Sequence, residues 1–245
     1  MKVFLFCITV FVTHVVQGIT GFGGAILAMP PALFLVGVEV ATPILNGLGI
    51  LSGSYVLVGD ADRVDRKTLL HVLCVMAPFT LVGAFLRRLL SGHASIVHAI
   101  FGVIVLLVAI SGLFRLFRGE VKPGDAPIQT VLYELLLAAA GVVHGMFACA
   151  GPLLVGYLAR KLPQKDSFRS TASAVWVVLG LFLLIIQIVM GEWNLDLLRI
   201  QLETIPFLIA GMFIGTIAFR RVSQRGFIIL VYILLGVTGV LLLVQ

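Results

Sequence analysis

Two short stretches of this chain could bind an anion without any lysine or arginine: GITGFGG at 18–24 and HGMFACAG at 144–151. Glycine admits tight turns and lets backbone N–H groups come close to a ligand. A helix that starts at such a turn has first N–H groups with no intrahelical partner, and its positive dipole end faces the same way. Gly18, Gly21, Gly23 and Gly24, with Gly145 and Gly151, are therefore candidate substrate-binding positions. Pro152 strengthens the second, because proline suits the first helical position. Gln17 and His144 each stand just before the first glycine of their stretch. Either can donate a hydrogen bond to an oxyanion, and His144 can also carry a proton. Thr20 lies within the first turn.

Further candidates follow each stretch. Asn46 closes EVATPILN (39–46), and Arg169, Ser170 and Thr171 lie in DSFRSTASAVW (166–176). These small polar side chains could line a path, although serine and threonine also bond back to helix carbonyls. Arg169 and Lys165 could draw an anion to an entrance. Glu134 and Glu203 sit inside apolar segments and join His144 as candidates for proton coupling; His14 is a weaker one, and His71, His93 and His98 read as interfacial. Cys7, Cys74 and Cys149 form no CxxC and lie in apolar stretches, where cysteine packs as a small hydrophobe. No catalytic residue, metal site or cofactor is expected. The first stretch lacks the Lys-Ser/Thr of a P-loop and the order of a dinucleotide fingerprint.

The elements that must position these residues are membrane helices. The 245 residues are 60% hydrophobic and 11% charged, with a mean hydropathy of +1.17. Apolar segments run over 3–36, 38–58, 68–88, 94–117, 129–162, 167–190, 198–219 and 226–244. Most are near the roughly 20 residues that cross a bilayer. The first and fifth are too long, and they contain the two glycine stretches. The opening MKVFLFCITVFV has a signal-peptide flavour, but no small-x-small cleavage site follows, so it reads as a mature helix. Pro30-Pro31 should interrupt the chain after the first stretch. The net charge of +6 reads as basic loops that fix orientation rather than as a nucleic-acid surface.

The chain also repeats itself. VVQGITGFGGAIL (15–27) aligns with VVHGMFACAGPLL (142–154), PFTLVGAF (78–85) with PFLIAGMF (206–213), and ISGL (110–113) with VTGV (237–240). Residues 1–120 and 128–245 thus read as two copies of one membrane unit within a single transmembrane domain. If the long segments cross once, the 17 basic residues divide 8 to 9 between the two sides. If each enters, turns at its glycines and returns, Lys2, Arg87, Arg88 and Arg199 share one side and the other 13 share the opposite one. The second division is the one the positive-inside rule favours. The expected fold is an all-α polytopic membrane protein of two inverted repeats. Each is a glycine-broken re-entrant helix hairpin followed by three transmembrane helices, and both termini lie outside the cytoplasm.

GITGFGGAILAMPPALF, its degenerate echo GVVHGMFACAGPLLVGYL and the chain length resemble the TauE/SafE sulfite exporter family over essentially the whole sequence. That resemblance implies a bacterial inner-membrane secondary transporter, an exporter of small sulfur-containing anions such as sulfite or organosulfonates. Its partners would be the small anion and the lipid bilayer, with room for a homodimer and no nucleic acid. Proton coupling is an option. The alternatives are transport of another small anion, and a membrane thiol-redox carrier or enzyme.

Overall fold

The computed structural model describes residues 1–89, 127–148, 151–162 and 164–244, together with Leu106 and Ile110. Expectations for most of segment 94–117, for His93 and His98, and for Cys149 fall outside them. The described residues are helical almost throughout and include no strand. In chain order the helices are α1 (Lys2–Thr20), α2 (Gly24–Val36), α3 (Val38–Asp60), α4 (Arg66–Leu89), α5 (Pro127–Phe147), α6 (Gly151–Lys161), α7 (Lys165–Val189), α8 (Leu195–Arg221) and α9 (Gln224–Val244). Among the described residues, α1, α3, α4, α7 and α8 hold apolar stretches long enough to cross a membrane.

Glycines set how these helices pack, because missing side chains let backbones touch where lipid gives no hydrophobic drive. A Cβ on Gly211 of α8 would stand 2.6 Å from the Phe11 carbonyl of α1, and one on Gly18 would stand 2.9 Å from Gly215 Cα. Residue numbers rise together along this contact, so α1 and α8 run parallel. Helices α4 and α5 do the same. His71 pairs with Glu134 at 2.9 Å, and a Cβ on Gly141 would meet the Met76 carbonyl at 2.6 Å. In contrast, α3 and α7 run antiparallel: Asn46 donates to the Gly180 carbonyl (3.1 Å), Gly53 abuts Ser173, and Asp60 pairs with Arg169 (3.0 Å).

Helix α1 is long enough to cross, yet its chain turns back. Gly21 (φ 78°) and Gly23 (φ 97°) adopt left-handed conformations at its end. Gln17, near that end, donates to Ser52 Oγ of α3 at 3.2 Å. Ser52 lies 14 residues past the start of α3, about 21 Å of helix, so α2 has carried the chain back before α3 descends. The tip also stops short of the far face. Gly18 lies level with Gly215, and α8 continues six residues, about 9 Å, beyond it.

The expected break at Pro30-Pro31 does not occur: α2 runs unbroken through both prolines. Each proline deletes one backbone bond, but its fixed φ is helical. Burial of Ala28, Met29 and Ala32 holds the helix against its neighbours.

Loops at the Asp60 end are joined across the bundle. Arg63 donates to Asp166, and Lys165 Nζ donates to the Val222 carbonyl (2.7 Å). At the opposite end Arg87 pairs with Glu192.

Candidate anion-binding site

Helix spacing brings five predicted positions together around one cavity. His14 and Gln17 lie one turn apart at the end of α1, Asn46 and Gly49 one turn apart on α3, and His144 and Ala148 one turn apart at the end of α5. Gly23, Ala25 and Ile26 from the start of α2 and Gly151 from the start of α6 also reach it, with Leu45 and Trp176. The cavity measures about 30 Å³, enough for about two waters at roughly 10–15 Å³ each. Among the described lining residues there is no lysine, arginine, aspartate or glutamate. Positive potential there comes from the helix starts.

The first tip is braced. Gln17 Oε1 accepts the Gly24 N–H at 2.8 Å, which supplies one of the partners that a helix start lacks. Leu27 is the first residue of α2 to bond inside the helix, to the Gly23 carbonyl (3.0 Å). The Ala25 and Ile26 N–H groups therefore have no intrahelical acceptor, and both residues line the cavity. Thr20 Oγ1 donates to the Val16 carbonyl (2.8 Å) and accepts from the Phe22 N–H (3.3 Å). It ties the turn and does not line the cavity.

Arg169 is almost fully buried against the same tip. Its Nε donates to the Gly18 carbonyl (3.0 Å), Nη1 to Asp60 (3.0 Å) and Nη2 to Thr216 (2.8 Å). Its guanidinium also stacks 4.5 Å from the Phe219 ring centre. A Cβ on Gly21 would stand 2.9 Å from the Arg169 carbonyl, so only glycine fits there.

The second tip differs. Ala148 takes a left-handed φ of 54°, with its N–H on the His144 carbonyl (2.8 Å). Both ring nitrogens of buried His144 lack a protein partner. Trp176 spans the two tips: its indole N–H donates to the Gly21 carbonyl (3.0 Å), and its ring lies 5.9 Å from that of His144. His14 Nδ1 sits 2.8 Å from the Val10 carbonyl. A carbonyl only accepts, so Nδ1 carries the hydrogen and Nε2 is the free nitrogen.

The remaining sequence candidates lie elsewhere. Gly145 packs against Thr80 and Ala84 of α4, and Gly18 against α8. Ser170 is buried with an unpartnered hydroxyl, while Thr171 Oγ1 accepts the Asp65 N–H (3.0 Å) at the head of α4. Glu134 pairs with His71 and Glu203 with Arg199 (3.0 Å), both partly exposed and away from the cavity. Sequence reasoning missed Trp176 and Gly49. They stand 127 residues apart, the offset of the tips themselves, so a walk along the repeat would have found them as a pair.

Residues 5–242 match the family model described as sulfite exporter TauE/SafE. The chain belongs to this family. No curated protein and no solved structure matches it. TauE/SafE is a family of membrane transporters, and the apolar helices above make this member a multi-pass membrane protein. Within this TauE/SafE chain the broken helices, rather than the continuous ones, deliver most of the polar groups to the cavity.

Proposed function

We propose that this protein is a secondary transporter that exports small sulfur-containing anions, sulfite above all, across the bacterial inner membrane. The anion binds between the starts of α2 and α6. The observation that carries this reading is a buried cavity between two broken helices that holds free backbone N–H groups and two histidines but no fixed charge. Such a cavity suits an oxyanion held by aligned dipoles and hydrogen bonds. Its small volume suits sulfite better than a long organosulfonate.

The helix directions support an inverted repeat within this reading. The repeat-equivalent helices α3 and α7 cross antiparallel, with Gly53 on Ser173 matched by Gly180 beside Asn46. The α1–α8 contact has its counterpart in α4–α5, with Gly211 on Val15 matched by Gly83 on Val142. Arg63, Arg66, Lys67, Lys161, Lys165 and Arg225 gather around the Asp60 end, and this basic cluster supports a cytoplasmic position for that end and an outside position for both termini. His144, with both ring nitrogens free, is the group that takes up a proton alongside the anion.

The test is flux of labelled sulfite and sulfoacetate into proteoliposomes, with and without a pH gradient. A Cβ on Gly23 would meet Val16 at an ordinary 3.6 Å, but the glycine's φ of 97° is one that side chains avoid, so Gly23→Val should insert in the membrane and lose flux. Saturable wild-type flux that persists in Gly23→Val refutes the role of the first tip. Absence of wild-type flux for both anions refutes the substrate assignment.

A further inference from the structure

We infer that Gln187 and Gln201 line the hydrated route by which the anion passes between the cavity and the Glu192 end of the bundle; this rests on the transport reading above. The two ends of the cavity are built differently. Toward Asp60 the exit is shut by Arg169, by the Trp176 bond to Gly21, and by edge-to-face rings: Phe22 on Phe168 (6.3 Å) and Phe168 on Phe227 (5.5 Å). Among the described residues on that side, Arg169 and Thr171 have protein partners, and the Ser170 and Ser173 hydroxyls are of the kind that bonds back to a helix carbonyl.

Toward Glu192 three buried carboxamides cluster on α3. Asn46, which lines the cavity, donates to Gln187 Oε1 (3.1 Å). Gln187 Nε2 is left without a partner although the residue is 1% exposed. Gln201, 7% exposed, has neither Nε2 nor Oε1 partnered. Its carboxamide lies on the α3 backbone beside Asn46, where a Cβ on Gly47 would stand 2.7 Å from Oε1. Glycine at 47 therefore makes the place that Gln201 fills.

Buried carboxamides without protein partners are costly, and water or a passing solute is what satisfies them. In a membrane bundle, buried polar groups cluster along cavities and pathways. Through the Asn46–Gln187 bond, these carboxamides continue the uncharged hydrogen-bonding lining of the cavity.

The experiment is cysteine accessibility in a background with Cys7, Cys74 and Cys149 replaced by alanine. Single variants Gln187→Cys and Gln201→Cys are treated with an anionic, membrane-impermeant methanethiosulfonate. Leu195→Cys, at an exposed site on the Glu192 end, identifies the reagent's face, and Ala172→Cys, buried toward Asp60, serves as the silent site. The expected result is that both glutamine positions react from the same face as Leu195→Cys and that saturating sulfite slows them severalfold. Reaction of Leu195→Cys with neither glutamine position reacting overturns the route. So does reaction that sulfite leaves unchanged in a variant that still carries sulfite. Failure of the sulfite reading shows separately, as absence of wild-type flux.

Discussion

At the first tip, Gln17, Thr20, Trp176 and Arg169 hold nearly every polar atom of the turn, and three helices meet on one buried guanidinium. At the second, the described residues leave a histidine with two free nitrogens and an alanine in a glycine's conformation. The two tips carry matching sequence and line one cavity, yet the first is fixed by side chains whereas His144 beside the second has both ring nitrogens unpartnered. A preorganised oxyanion site pays its ordering cost in folding. Unpartnered polar groups, by contrast, gain most when a ligand arrives. On the proposed transport reading, the first tip shapes the cavity and the second responds to what enters it.

The comparison breaks most directly at Arg169. Arg169→Met strands the Gly18 carbonyl and Thr216 and leaves Asp60 with Arg63 alone, at 3.5 Å. Removing one partner of a buried ion pair costs about 3–5 kcal/mol, with the lower figure apt because Asp60 is partly exposed. Thermal unfolding in detergent should show the largest drop of any variant here. A melting point within error of wild type would mean that the first tip is not held by this clamp.

Gln17→Leu and His144→Leu separate fixture from responder. Loss of Gln17 frees the Gly24 N–H and Ser52, so it should cost about 1–3 kcal/mol of stability as well as flux. His144→Leu removes no ring hydrogen bond of ordinary geometry, only the ring's approach to the Leu179 backbone. It should abolish the gradient dependence of flux with stability unchanged or slightly raised. Equal destabilisation by both would erase the distinction between the tips.

A smaller effect of opposite sign lies in the backbone. Gly21→Ala forces a side chain into φ 78° against Arg169, for an expected loss of about 1–3 kcal/mol. Ala148→Gly relieves a φ of 54° and should stabilise by a net of about 0.5 kcal/mol, the strain relieved less the entropy glycine loses. Differential scanning of the two variants reads both signs.

The same asymmetry explains what the sequence made legible. The helices and the breaks in the over-long segments followed from apolar spacing and from the glycines, because lipid forces helical backbone wherever no cavity intervenes. Gln17, Asn46, His144, Gly23 and Gly151 line one cavity, and they stood out in the sequence because glycine turns and polar side chains at membrane depth are costly without a partner. Arg169 was read as an entrance charge, because nothing local reveals that Gly18, Asp60 and Thr216, from three other helices, converge on it. Pro30 and Pro31 misled for a related reason. A local rule breaks the helix there, whereas packing around Ala28 and Ala32 preserves it.

The mildest test compares the helices that each tip packs beside. Asp65 Oδ1 accepts the Thr68 N–H (2.7 Å) at the head of α4, and Asn194 Oδ1 accepts the Leu197 N–H (2.9 Å) at the head of α8. One of these helices therefore carries an ionisable cap and the other a neutral one. Hydrogen bonds from Thr68 hold the Asp65 carboxyl below its ordinary value. Its contribution is complete above the unfolded carboxyl pKa of about 3.9 and is lost as pH falls through the lower folded value. Asp65→Ala should cost about 1 kcal/mol near neutrality, and the difference from wild type should shrink in acid as the wild-type carboxyl protonates. Asn194→Ala should cost a similar amount, about 1 kcal/mol, at every pH. Denaturation of both variants from pH 7 down to pH ~3 reads the contrast, and parallel pH profiles would show that Asp65 does not cap α4 through its charge.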